Sequence, residues 1–374
     1  MKRFIIKIVV FLLPIMLICI PIGLLLKVYG ESYVNFERII TDDKYELIGQ
    51  KFSESNTLGI KTIIANKNKP KVVAIGSSRV LQFREEMFKE PFYNYGYTTT
   101  SNGTILPSLN LITENSPPKY LILGLDQWNF NKKWDKSEYP SYVSRNTNIK
   151  NISFPSIPAF LKEVLESKNV LSIPEGMVGL NAVNYNNGFR RDGSRDYGNR
   201  IEKLELNDTT LEDYQFKNTL SRIQNGNNRF DYGENIDLSD LKYIIDIIEH
   251  CKNKNINLFI FMPPFAPSVW AAMERSENYN YIKEADKKVK RICNTYHVPY
   301  FNFSSPGLIN YSDSEMLDGF HGSERVYGKI LLHMAQFSSE MESIIDKDNL
   351  IQTLNETSHL NMFDKPTNIS ADGF

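Results

Sequence analysis

Between Ile8 and Leu26 the chain carries no charged residue, and the run is mostly Ile, Leu, Val and Phe. At about 1.5 Å of rise per helical residue, its length nearly matches a hydrocarbon core of roughly 30 Å. A soluble fold has few ways to bury such a helix at its extreme N-terminus, so the segment predicts a membrane anchor. Lys2, Arg3 and Lys7 precede it. The positive-inside rule then keeps the short basic end in the cytoplasm and sends everything after Lys27 across the membrane. A cleaved signal peptide fits less well, because no small-x-small site follows Leu26. Leu17 and Ile18 are too bulky to precede a lipid-modified Cys19. Pro14 and Pro21 interrupt the run, which membrane helices tolerate better than soluble ones do.

Hydrophobic residues make up 41% of the 374-residue chain and aromatics 12%, enough for a sizeable core beyond the anchor. Residues 1–27 hold four basic residues and no acid, so the remainder carries 39 Lys and Arg against 44 Asp and Glu. Such a balance offers no polybasic footprint and argues against a nucleic-acid partner. Cys251 and Cys293 could pair outside the cell or lie buried as free thiols on helices. No His/Cys spacing points to a metal, and no metal or organic cofactor is expected.

Apolar patterning divides the chain into an anchor with its cytoplasmic tip (1–27) and a membrane-proximal stretch (28–68), helical at Tyr45–Phe52 and Ile60–Ala65. A main domain (69–338) with an insertion at about 131–236 follows, then a loosely ordered tail (339–374). Strand-like runs fall at Lys71–Ile75, Phe92–Tyr95, Tyr120–Leu125, Asn257–Met262 and Pro299–Phe303. Helical patterns at Leu238–Lys252, Tyr281–Tyr296 and Glu324–Phe337 alternate with the later strands, with Asp237 or Ser239 as an N-cap for the first. Strands alternating with helices predict an α/β fold, a parallel sheet covered on both faces. Such sheets bind ligands beyond the carboxyl ends of their strands.

Two motifs fall at that edge. Gly76-Ser77-Ser78-Arg79 ends the first strand, where a tight turn exposes a serine and backbone N–H groups can face a developing oxyanion. Alone it is equally turn chemistry with Ser78 as an N-cap. Asp318-Gly319-Phe320-His321 stands just ahead of the last helix. At that spacing Asp318 can accept a hydrogen bond from the near ring nitrogen of His321 and aim the other nitrogen outward. Of the five histidines, only His321 has an acid so placed in a glycine-containing loop; His250, His297, His333 and His359 do not.

Together these residues resemble the SGNH/GDSL hydrolase superfamily, over roughly residues 70–338. The family's nucleophile turn matches Gly76-Ser77-Ser78, its oxyanion glycine matches Gly96, and its Asp-x-x-His matches Asp318 and His321. The resemblance implies a three-layer sheet and a triad of Ser78, His321 and Asp318. It departs at the family's Gly-x-Asn, where this chain has Gly124-Leu125-Asp126. An ionised carboxylate only accepts hydrogen bonds. The oxyanion hole is therefore expected from the N–H groups of Ser78 and Gly96, helped by Asn129 or Asn102. Among family members the chain is most similar to membrane-anchored cell-envelope proteins, those of teichoic-acid D-alanylation and alginate O-acetylation. Pro263-Pro264-Phe265, after the fourth strand, fits that group.

That likeness implies acyl transfer to a cell-envelope polysaccharide beside a multi-spanning membrane acyltransferase. An esterase using the same residues and a non-catalytic glycan-binding scaffold are the other two classes. In the insertion, Gly188–Gly198 packs Arg190, Arg191 and Arg195 among glycines and aromatics. These arginines, with Asp126, are the candidate substrate contacts, since guanidinium forks suit phosphate and carboxylate. Pairing with Asp192 and Asp196 is the plainer alternative for them.

Overall fold

The computed structural model describes residues 2–31, 45–52, 57–114, 116–134, 157–167 and 174–364. Parts of the expected membrane-proximal stretch (32–44, 53–56), of the insertion (135–156, 168–173) and of the tail (365–374) lie outside the described residues. The chain forms two compact units. One comprises Met1–Asn56, Asn148–Arg191 and Asp196–Asn199; the other comprises Thr57–Thr147, Asp192–Arg195 and Arg200–Phe374. The insertion is therefore shared between units. The helix Thr57–Asn68, expected in the membrane-proximal stretch, belongs with the second.

In the first unit, the helix Lys2–Val28 runs through Pro14 and Pro21. Its segment Val10–Val28 has a mean hydropathy of 2.5, is almost unburied, and is long and apolar enough to cross a membrane. At its end Leu25 and Leu26 pack against a cluster of Tyr29, Phe160, Val164, Leu180 and Val183. The buried Glu31 carboxylate accepts N–H bonds from Leu180 (2.8 Å), Lys51 (2.9 Å) and Phe52 (3.1 Å). Tyr45–Phe52, expected to be helical, instead supplies the strand Leu47–Ile48 to a small sheet. That strand pairs parallel with Met177–Val178 and antiparallel with Phe189 and Arg190. A ladder on both sides satisfies its backbone and overrides a weak local helical pattern.

The second unit is organised by five parallel strands: β1 (Val72–Gly76), β2 (Phe92–Gly96), β3 (Tyr120–Gly124), β4 (Asn257–Met262) and β5 (Tyr300–Asn302). Their order is β2-β1-β3-β4-β5. Every residue of β1, β2 and β3 is buried. Because alternate side chains point to opposite faces, both faces are covered, which is why these runs read as unbroken apolar stretches. Register aligns Gly76 with Gly96, Gly124 with Phe261, and Met262 with Asn302 along one carboxyl edge. The chain leaves β1 towards β2 and leaves β3 towards β4. The switch in direction therefore falls between β1 and β3, the position where such sheets open a crevice.

The helices follow their apolar periodicity. Leu238–Asn253 buries Ile244, Ile247, Ile248 and Cys251 and is capped by Asp237, which accepts from the Ser239 N–H. Asn280–Tyr296 buries Ile282, Ala285, Val289 and Cys293. Cys251 and Cys293 are free and buried, and burial pushes each thiol up to about 12. Residues after 338, expected as a loose tail, fold in part as the helices Ser339–Ile344 and Lys347–Glu356. Met341, Ile344 and Leu350 are buried there. The Lys89 N–H donates to Ile344 and the Asp346 N–H to Met87, so this segment is tied to the turn after β1. Each helix spans too few turns to register as a period in sequence.

Candidate active site

Ser78 opens a single 3-10 turn, Ser78–Val80, directly beyond β1, and Ser77 caps it by accepting from the Arg79 N–H. The turn is folded back onto the sheet edge by Val80. A Cβ on Gly76, Gly96 or Gly124 would meet a Val80 methyl at 2.9, 2.6 or 2.5 Å respectively. Three strand ends are thus glycine so that one valine can seat between them, and this packing holds Ser78 above the crevice. The Tyr97 N–H donates to Ser77 O at 3.1 Å and steadies the turn from the β2 side.

The structure brings Ser78, His321 and Asp318 together across the unit. Ser78 Oγ lies 2.8 Å from His321 Nε2. His321 Nδ1 lies 2.9 and 2.8 Å from the two Asp318 oxygens. Asp318 Oδ1 also accepts the N–H groups of Phe320 (3.0 Å) and His321 (2.9 Å), so the loop itself orients the carboxylate. Arg200 Nη2 approaches Asp318 Oδ2 at 3.6 Å and donates to Leu317 O at 3.1 Å. Burial works to raise the Asp318 pKa. It is outweighed by the charge of His321, the ring hydrogen bond, Arg200 and the Phe320 N–H, which hold the carboxyl well below the usual carboxylate range. An ionised Asp318 fixes the imidazole so that Nε2 faces the serine hydroxyl.

The residues expected to form an oxyanion hole are placed differently. The Gly96 N–H donates to Asn94 Oδ1 at 2.9 Å. The Gly96 carbonyl accepts from the buried Lys61 ammonium at 2.8 Å, and that ammonium also reaches Asn94 O and Gly193 O. Both polar groups of Gly96 are spent on the fold, which corrects the expectation that its N–H is available to substrate. Asn94 is the reason: its amide also donates to Val80 O and Phe83 O, clamping the Ser78 turn to β2. Asn102 is likewise occupied, donating to Asp240. Asn129 lies buried in the turn Gln127–Phe130 beyond β3, its N–H bonded to Asp126 O and its Oδ1 without a partner. The Ser78 N–H makes no hydrogen bond among the described residues.

Asp126 follows β3 and is 4% exposed. Its Oδ1 lies 3.7 Å from Arg79 Nη1. Burial raises its pKa, against the pull of Arg79 and the Ser77 hydroxyl. It is thus an enclosed partner of Arg79, not an open substrate contact. Arg79 was a turn residue in sequence, yet it is wholly buried. Its Nε donates to Phe320 O (2.8 Å), its Nη1 to Gln127 Oε1, and its Nη2 to Pro263 O (2.9 Å) and Pro264 O (2.6 Å). The guanidinium also stacks on Trp128 and Phe265, at 5.0 and 4.6 Å from the ring centroids. One side chain beside the serine thus ties together the loops beyond β3 and β4 and the histidine loop. The only available sequence signal was an arginine followed by apolar Val80 and Leu81.

Of the insertion arginines, Arg190 pairs with Asp196 at 3.0 Å and Arg191 donates to Tyr45 O at 2.6 Å, both within the first unit. Arg195 belongs to the second unit and lies over the Tyr97 ring at 5.9 Å. Arg200 and Arg229, which no motif marked, are the arginines that adjoin the triad loop. No family model, curated protein or solved structure matches this chain.

Proposed function

We propose that this chain is a membrane-anchored, extracytoplasmic serine acyltransferase of SGNH type acting on a cell-envelope polysaccharide. The observation that carries the reading is the hydrogen-bonded chain Ser78–His321–Asp318 at the carboxyl edge of a parallel sheet. Ser78 Oγ attacks an ester or thioester carbonyl while His321 Nε2 takes its proton. Collapse of the tetrahedral intermediate expels the donor's alcohol or thiol, which receives that proton, and leaves the acyl group on Ser78. A glycan hydroxyl then attacks and gives its proton to His321; the bond from the acyl carbon to Ser78 Oγ breaks, His321 returns the proton to Oγ, and the acylated glycan departs; water in its place makes the same site an esterase. The apolar helix Lys2–Val28 supplies the anchor, with Lys2, Arg3 and Lys7 on the cytoplasmic side. A multi-spanning acyltransferase delivering acyl groups across the bilayer is the partner this reading calls for.

The occupied Gly96 N–H is the one observation that favours a non-catalytic, glycan-binding scaffold, since losing an oxyanion donor costs on the order of 10²–10³ in rate. Incubation of the full-length protein with an activated acetyl ester and envelope polysaccharide separates the readings. Transfer predicts acetyl groups on the glycan in amounts exceeding released acetate. Acetate alone means an esterase, and consumption no faster than for Ser78→Ala leaves the scaffold.

A further inference from the structure

Beside the triad stands an arginine whose own interactions leave its hydrogen-bonding edge open. Arg229 lies in the 3-10 turn Asn228–Phe230. The turn is pinned from beneath. Phe230 is fully buried against Phe265 and Phe320 at ring separations of 6.1 and 6.0 Å, and its carbonyl accepts the Tyr279 hydroxyl at 2.9 Å. Arg229 itself is exposed. Its guanidinium lies 5.6 Å from the Trp128 ring and 5.5 Å from the Phe320 ring, two aromatics that meet edge-on at 5.8 Å. Among the described residues it makes no hydrogen bond and no ion pair.

This differs from an ordinary surface arginine in two ways. Stacking on aromatic faces uses the π-surface of a guanidinium and leaves its N–H fork for a planar oxyanion. A fork already held on two rings also loses less freedom when it binds. The placement fixes what the fork can serve: the Phe320 ring that supports it lies 4.5 Å from the His321 ring, tilted by 41°. One aromatic ring therefore separates the open guanidinium from the general base. The nearer charges already answer the buried acids: Arg79 stands beside Asp126, with Arg229 adding only a weaker charge there, and Asp318 has His321 and Arg200.

We infer that Arg229, on its Trp128–Phe320 platform, is a subsite for an anionic substituent, phosphate or carboxylate, carried by the substrate of the Ser78 site. Bidentate N–H bonds to that group would register the sugar or polyol beside the serine. The inference rests on reading Ser78 as the nucleophile, and the test keeps the two separable.

Full-length protein in detergent, carrying Trp134→Phe and Trp270→Phe so that Trp128 is the sole tryptophan, is titrated with glucose 6-phosphate, glucuronate and glucose. Saturable quenching or enhancement of Trp128 by at least one anionic sugar, with none by glucose, is expected. Which anion acts distinguishes phosphate from carboxylate. Arg229→Gln raises the half-saturating concentration about tenfold or more, Arg229→Lys raises it less, and Arg275→Gln, a charge removed elsewhere on the surface, leaves it in place. Arg229→Gln titrating like its parent, equal responses to glucose and the anions, or no saturable response would overturn the proposal. Fluorophosphonate labelling of Ser78 is then compared with and without the bound anion in each variant. Slowing by anion in the parent and not in Arg229→Gln ties the subsite to the serine. Absence of labelling counts against the nucleophile while leaving the fluorescence result to judge the anion site.

Discussion

The His321 side of Ser78 and its Gly96 side are built from similar loops at the same sheet edge, and they are wired differently. On the histidine side every polar group points along one line, from Ser78 Oγ through the imidazole to Asp318, with loop N–H groups holding the acid. On the glycine side the corresponding groups are turned inward. Gly96 gives its N–H to Asn94 and its carbonyl to Lys61, and Asp126 is enclosed with Arg79. The serine–histidine–aspartate line and the donors an oxyanion would need are therefore separable features here. A chain can keep the first geometry while its sheet edge consumes donors the second would use.

The largest effect that would break this contrast lies on the histidine side. Asp318→Asn leaves the loop's shape but removes the acceptor that fixes the imidazole. Acyl turnover should fall by about 10⁴, as in other serine triads. A loss under tenfold in steady-state kinetics would mean the line of hydrogen bonds is not catalytic. Arg79→Met tests the tie between the two sides. It strands the carbonyls of Phe320 and Pro264 and leaves Asp126 buried without its nearest counter-charge. Unfolding free energy should drop by about 3–5 kcal/mol in a denaturant titration.

These two residues also show how far the sequence could be read. Asp318 was legible because its chemistry is local: in a tight glycine-containing loop, an acid three residues before a histidine can reach its ring nitrogen. The five strands were legible because a sheet buried on both faces writes itself as short apolar runs. Arg79 was not, since burying a guanidinium depends on acceptors supplied by three distant segments of chain. Gly96 misled for a related reason. Its position and residue type match an oxyanion glycine, yet its smallness serves Val80 and its N–H is claimed by a side chain two residues earlier. Leu47–Ile48 became a strand through partners more than a hundred residues away, which no local window contains.

A smaller effect sharpens the glycine side. Gly96→Ala places a Cβ at 2.6 Å from Val80 Cγ2 and 2.8 Å from Asn94 Oδ1. The overpacking should cost about 1–3 kcal/mol in thermal or chemical unfolding. An unchanged midpoint would show that Val80 is not the reason for the glycine. The smallest effect is a pH dependence. Because the folded Asp318 carboxyl is held below its ordinary value, it contributes stability that is present above about pH 4 and is lost as pH falls through the folded value. The difference in melting temperature between the parent and Asp318→Asn should therefore be widest near neutrality and close in acid. A gap that widens in acid would reverse the sign of the account.

The central claim is that Ser78 is an activated nucleophile, and one measurement addresses it without knowledge of the acyl group or the glycan. Full-length protein is incubated with a fluorophosphonate, and the adduct is located by intact mass and peptide mapping. The account predicts a single adduct on Ser78, absent from Ser78→Ala and formed much more slowly by His321→Ala. Protein that stays unmodified, or an adduct that persists in Ser78→Ala, would contradict it.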